Sequence, residues 1–138
     1  MNDNINFQTT FLVERIAFVN KDKKGNFNFV PEISIAFSKL EENKWKSTIA
    51  VRVLDKDDHP FPFDLDVVVS LLTTFPNGYP SDFNLEEYLR FNSLIILYPY
   101  VRSVVTNITG AALINPMFLP IVDINKIGQD VEIPGLKK

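Results

Sequence analysis

The 138-residue sequence contains no cysteine, which excludes a disulfide framework, a thiolate nucleophile and any cysteine-ligated zinc site. It carries one histidine, His59, in the charged turn Asp55-Lys56-Asp57-Asp58-His59-Pro60, so a catalytic triad has a single imidazole to draw on, at a turn position. The five glycines are scattered and form no phosphate-cradling loop. No apolar run approaches the about 18 residues of a membrane span, and Met1 to Asn6 has neither the basic start nor the apolar centre of a signal peptide; a cytoplasmic location is expected. Excess positive charge is also missing. A net charge of -3 and a pI near 5.1 disfavour a phosphate backbone as ligand, so neither a nucleic-acid partner nor membrane insertion is expected.

The remaining catalytic or metal-binding patterns are weak. Asp55, Asp57 and Asp58 resemble the opening of a calcium loop, but Pro60 stands where the turn glycine belongs and Asp66 where the closing glutamate belongs. Asp64 and Asp66 are two apart on an expected strand and share a face, which a solvent-facing pair explains. Asn107-Ile108-Thr109 fits a glycosylation acceptor but falls on an expected helix. No enzyme activity, metal or cofactor is expected.

What is present is a folding pattern. Hydrophobic residues make up 46% and charged residues 22%, which describes a folded chain, and the length fits one domain. Phe11 to Val19 reads as a strand and Lys21 to Asn26 as a turn. Phe27, Phe29, Ile33, Ile35 and Phe37 alternate with polar or small residues as a second strand, at an edge or bulge because of Pro31. Ile49, Val51 and Val53 mark a third, and Phe61 to about Leu72 a fourth. After a Pro- and Gly-containing connector, Ser81-Asp82 is expected to cap a short helical turn. Leu94, Leu97, Val101, Val104, Val105 and Ile108 then follow helical spacing, with a start near Tyr98 favoured because of Pro99, and a C-cap at Gly110. Asn115 to Asn125 reads as extended and Gly128 to Lys138 as a loose tail. The fold class is therefore α+β, a four-stranded antiparallel sheet packed against one long helix.

Twelve Phe, four Tyr and one Trp exceed what one helix on one sheet face can hide. Either an oligomer interface or an apolar groove for extended polypeptide would use them.

Ile96-Leu97-Tyr98-Pro99-Tyr100-Val101-Arg102 resembles the Ile-Leu-Phe-Pro-Tyr-Ala-Arg run that opens the long helix of the SecB family of protein-export chaperones. Leu119, Val122, Asp123, Ile124 and Asn125 are similar to that family's Leu-x-Pro-Val-Asn-Phe-Asp stretch; Phe11 to Ile16 and Pro31-Glu32-Ile33-Ser34-Ile35 are similar to its first two strands. The resemblance implies one SecB-like domain over residues 1–125 with a tail over 126–138, a homodimer or homotetramer, and ATP-independent holding of unfolded polypeptide clients in aromatic-lined grooves, for export or for a dedicated partner such as a toxin-antitoxin system. The alternative is a non-catalytic oligomeric assembly protein that keeps the fold without general client binding. Strand-end location makes Phe27, Phe29, Phe61, Phe63, Phe75 and Phe118 the candidate client contacts, while Phe11, Val13, Tyr98, Tyr100 and Val104 are candidates for the oligomer interface. Two departures narrow the resemblance. The family's second, C-terminal helix has no counterpart in Lys126 to Lys138, and Ala111-Ala112 replaces its Arg-Gly. Asp66 matches one of the acidic residues that meet the export motor SecA, but Asn20 and Lys24 stand where other acids are expected, which argues against that contact.

Overall fold

The computed structural model describes residues 6–112, 118–120 and 122–136. Four antiparallel strands, β1 (Gln8–Asn20), β2 (Glu32–Glu41), β3 (Lys44–Val53) and β4 (Phe63–Thr74), form one sheet in the order β1-β4-β3-β2. The alternation of β3 and β4 sends Trp45, Ile49, Val51 and Val53, with Leu65, Val67, Val69 and Leu71, into one buried face, where Ile49 pairs with Val69 and Val51 with Val67. Each such side chain contributes about 1.5–3 kcal/mol on leaving water.

The second strand starts later than the alternation implies. Pro31 offers no N–H to a ladder, and β2 begins only at Glu32. Phe27 and Phe29 therefore lie in the connection that carries the chain from the β1 edge to the β2 edge.

The helix starts earlier than expected. Asn84, rather than Ser81 or Asp82, caps α1 (Leu85–Glu87), its side chain accepting from the Glu87 N–H at 2.9 Å. A π-helical segment (Tyr88–Ser93) runs into α2 (Leu94–Ala111), which contains Pro99 in its interior. The wide π turn carries the inward stripe from Leu89 to Leu94, after which Leu97, Tyr98, Val101 and Val105 continue it over the sheet. Pro99 removes the N–H that the Ile95 carbonyl would accept, and both residues lie on the exposed side of the helix, where a bend costs least. The C-cap is Ala112, with Gly110 inside the last turn. Four hydroxyls between helix and sheet pair off: those of Ser47 and Ser93 lie 2.8 Å apart, and those of Thr73 and Tyr88 3.0 Å apart.

Of the stretch expected to be extended, residues 115–117 and 121 lie outside the described residues. Ile124–Gly128 forms a short helix, α3, whose Asp123 cap accepts from the Lys126 N–H at 3.3 Å. One turn thus stands where no second helix was expected. The segment read as loose is docked: Ile133 is buried, and Val131 and Leu136 pack against the core.

Candidate functional site

Strand β1 is the feature most in need of a partner. It is an edge strand of 13 residues, and nearly all of it is exposed. Opposite Leu71, Val69, Val67 and Leu65 of β4 lie Phe11, Val13, Ile16 and Phe18, so these four face the helix side. Helix α2 packs over β3 and β4 and leaves that strip open. Phe11 remains 40% exposed although its ring stacks on Tyr100 at 4.4 Å. Across the strip, α2 presents Ile95, Ile96 and Tyr100, with Ile95 57% exposed. An unpaired edge flanked by apolar side chains is a surface that proteins cover.

A bulge between Val13 and Arg15 tunes the other face of β1. It turns Glu14 and Arg15 to the same side: Glu14 accepts from the Ser70 hydroxyl and from Lys46 (3.2 Å), and Arg15 donates to Asp66 at 2.9 Å. The Ser70 bond, with Lys46 adding to it, holds the Glu14 carboxyl below its ordinary value against the opposing effect of burial. Asp66 also meets Arg52 at 3.4 Å, so the candidate motor contact is an acid enclosed by two arginines rather than a free negative charge. Lys23 and the Phe61 N–H likewise hold the Asp55 carboxyl low.

The six candidate client contacts fall in three places. Phe61 and Phe63 are buried, with ring centroids 4.8 Å apart, and Phe27 and Phe29 half-cover Phe61 from the connection at 6.1 and 6.0 Å. Phe75 lies about 40 Å further along β4 by strand rise. Fully buried, it is surrounded by Phe7, Tyr79, Phe83 and Tyr88 at 5.1–6.0 Å. Phe118 is 70% exposed beside α2, in a cleft shared with Pro99, Arg102 and Thr106. Phe61, Phe63 and Phe75 are thus corrected from surface contacts to core: inward alternation on β4 and the ring cluster at its end enclose them. Phe118 stays exposed, and Phe27 and Phe29 are half-buried against the core.

The interface candidates divide in the same way. Phe11, Val13 and Tyr100 are exposed and Val104 half-buried. Tyr98 is a correction, because it is only 5% exposed inside its own protomer and its hydroxyl donates to the Pro120 carbonyl at 2.8 Å. Burial pushes its phenol up, as it does that of Tyr88. Sequence reasoning missed Leu12, Ile16, Val19, Ile95 and Ile96, all exposed. The signal was present in consecutive apolar runs, Leu94 to Leu97 and Phe11 to Val13, which no single buried face accommodates.

His59 closes a tight turn through two backbone bonds with Lys56, at 3.2 and 3.1 Å. Among the described residues no cluster of His, Asp and Glu is placed to hold a metal ion, and no helix is long and apolar enough to cross a membrane.

No family model matches the chain. It is 28% identical to an uncharacterized protein of Methanocaldococcus jannaschii over 131 residues, which cover 90% of this chain and 83% of that protein. Its fold is similar to that of a SecB-like chaperone of Mycobacterium tuberculosis, solved in complex with a ChAD peptide from the HigA1 antitoxin. The TM-score is 0.66 at 17% identity, covering 85% of this chain and 91% of that one. A protein of unknown function from Streptococcus agalactiae aligns with a TM-score of 0.55 at 13% identity, covering 84% and 98%. The fold is SecB-like: one four-stranded antiparallel sheet and one long helix.

Proposed function

We propose that this protein is a chaperone that holds unfolded segments of other polypeptides on its apolar surfaces, without catalysis and without ATP, as a cytoplasmic homo-oligomer. The observation that carries the reading is apolar side chain left uncovered on an otherwise well-packed domain: a strip along β1 and α2 that a second copy would cover, and, outside it, the exposed Val30 and Phe118 with the half-buried Phe27 and Phe29. Broad apolar side chains give affinity without demanding one partner. The similar fold of a chaperone solved with a peptide supports the same use here.

We assign the β1 and α2 strip, with Phe11, Val13 and Tyr100, to contact between copies, as a dimer or tetramer. Phe27, Phe29 and Phe118 are assigned to clients. Asp66, already enclosed by Arg15 and Arg52, is not assigned to a motor protein, and a dedicated client fits better than a general export role.

The test is suppression of light scattering when a chemically unfolded polypeptide is diluted into buffer with the protein and no nucleotide. Suppression near stoichiometric ratios is expected, weakened by Phe29→Ala or Phe118→Ala with the fold intact. The alternative is an assembly protein that uses its open edge only to pair with copies of itself. That reading wins if the wild type suppresses nothing while Phe11→Ser with Tyr100→Ser lowers the mass in solution.

A further inference from the structure

The C-terminal segment docks on the sheet as two linked turns, the Val131 N–H donating to the Gly128 carbonyl and the Leu136 N–H to the Ile133 carbonyl, each at 3.3 Å. Gly128 approaches the core so closely that a Cβ there would lie 2.5 Å from Leu94 Cδ1 and 3.4 Å from Ile35 Cδ1. Seven residues later Gly135, with φ of +87°, lies against the Lys39 side chain. Ile35, Phe37 and Lys39 are alternate residues of β2 and share its helix-side face. Residues 128–135 therefore run alongside β2, in its own direction, in the channel between that strand and the π-helical segment. Val131, Ile133 and Leu136 turn apolar side chains to the core there. The end of the segment, Gly135 and Leu136, closes one wall of a cleft of about 790 Å³ whose other walls include Trp45, Tyr79 and Phe83.

Little besides apolar contact holds it. Among the described residues no backbone hydrogen bond joins the segment to β2, the other edge of the sheet. Its main polar attachment is the Arg90 guanidinium, whose Nη1 donates to the carbonyls of Gly128 at 2.9 Å and Val131 at 2.6 Å, while Nε is held by Glu86 at 2.9 Å. Arginine recognises main-chain carbonyls, and such a contact does not depend on the sequence that supplies them.

We infer that Val131–Leu136 is an internal occupant of a polypeptide seat on β2, and that an unfolded client segment rich in apolar residues displaces it. This rests on the chaperone reading and adds its regulation: the seat is closed at rest, and a client must compete with the chain's own tail for the apolar floor and for Arg90. Self-occupation lowers apparent affinity in proportion to the time the seat is filled.

The absence of cysteine allows a reversible test in the full-length chain. A Cβ at position 135 lies 3.1 Å from Lys39 Cβ, closer than the usual disulfide span of about 3.5–4.5 Å, and φ of +87° strains any side chain there, so the reduced pair loosens the tail and the oxidised bond alone holds it down. Lys39→Cys with Gly135→Cys should lock the tail when oxidised and free it when reduced. With reduced, carboxymethylated α-lactalbumin as the unfolded probe, the oxidised form is expected to bind at least about tenfold more weakly than the reduced form. Ile133→Ser in the otherwise native chain is expected to bind several-fold more tightly than wild type. Equal or tighter binding by the locked form, or weaker binding by Ile133→Ser with native circular dichroism, overturns the inference while the chaperone reading stands. Failure of wild type and both forms to bind overturns that reading and this one with it.

Discussion

Replacing Phe75 separates aromatic residues that hold the fold from those that meet partners. Its ring is 0% exposed and touches four others, at 5.1 Å (Tyr79), 5.6 Å (Phe83) and 6.0 Å (Phe7 and Tyr88), three of them edge-on. Phe75→Ala removes that burial and leaves a cavity, so the cost is that of a core Phe→Ala change, about 3–5 kcal/mol. The backbone at this position stays bonded, with its N–H donating to the Asn43 carbonyl at 2.8 Å and its carbonyl accepting from Gly78 at 3.0 Å, so the loss is one of packing. For a chain of this size that corresponds to a melting temperature lower by about 10–15 °C. Urea denaturation followed by circular dichroism measures it, and a double-mutant cycle with Phe83→Ala is expected to show a coupling of about 0.5–1.5 kcal/mol. Phe118→Ala serves as the contrast, with a change within about 0.5 kcal/mol because the ring is exposed. A cost below about 1 kcal/mol for Phe75→Ala would refute the assignment of this ring to the core.

Titration supplies further expectations. Glu14 is held below its ordinary value by Ser70 and Lys46, so its contribution is present above the unfolded-state value and disappears as the pH falls through the lower folded-state value. Wild type is expected to exceed Glu14→Gln by about 1 kcal/mol at neutral pH, with the two converging once the pH has fallen below the folded-state value; a pH-independent gap contradicts this. Tyr98 and Tyr88 are shifted upward by burial, so their neutral forms stabilise the fold below the ordinary tyrosine value and that contribution is lost as the pH rises through the folded-state value. Tyr98→Phe gives up the bond to Pro120, at a cost of about 0.5–1.5 kcal/mol, and is expected to soften the alkaline unfolding transition; unchanged alkaline unfolding counts against the burial argument.

The sheet was legible in the sequence because its signal is local. Alternation in Ile49 to Val53 and Phe63 to Leu71 specifies a strand with one buried face, and short polar turns leave antiparallel neighbours as the simple solution. The start of the helix was hidden by a conflict between two rules: Pro99 argues for a terminus, but on a solvent-facing side its missing N–H is tolerated, and packing of Leu94 and Leu97 carries the helix through it. Phe27 and Phe29 kept the strand period without a strand because Pro31 interrupts pairing, which is invisible to periodicity alone.

The site was less legible. An aromatic just outside a strand or helix reads the same whether it turns inward, as Phe61 and Phe75 do beside β4, or outward, as Phe118 does after α2, and only the tertiary fold decides. The docked tail was harder still. Gln129 to Leu136 has neither helical nor strand period, and it is held by an arginine 38 residues upstream of Gly128 and by two glycines whose role appears only when their neighbours are placed.

The central claim is that uncovered apolar surface on this fold holds unfolded polypeptide. Its most direct test is amide hydrogen exchange on the full-length protein with and without a saturating, permanently unfolded polypeptide, in the absence of nucleotide. Protection is expected at Phe27 to Val30 and around Phe118, with the outer sheet face around Asp66 and Ser70 unchanged. No protection at saturation, or protection confined to that outer face, would contradict the account.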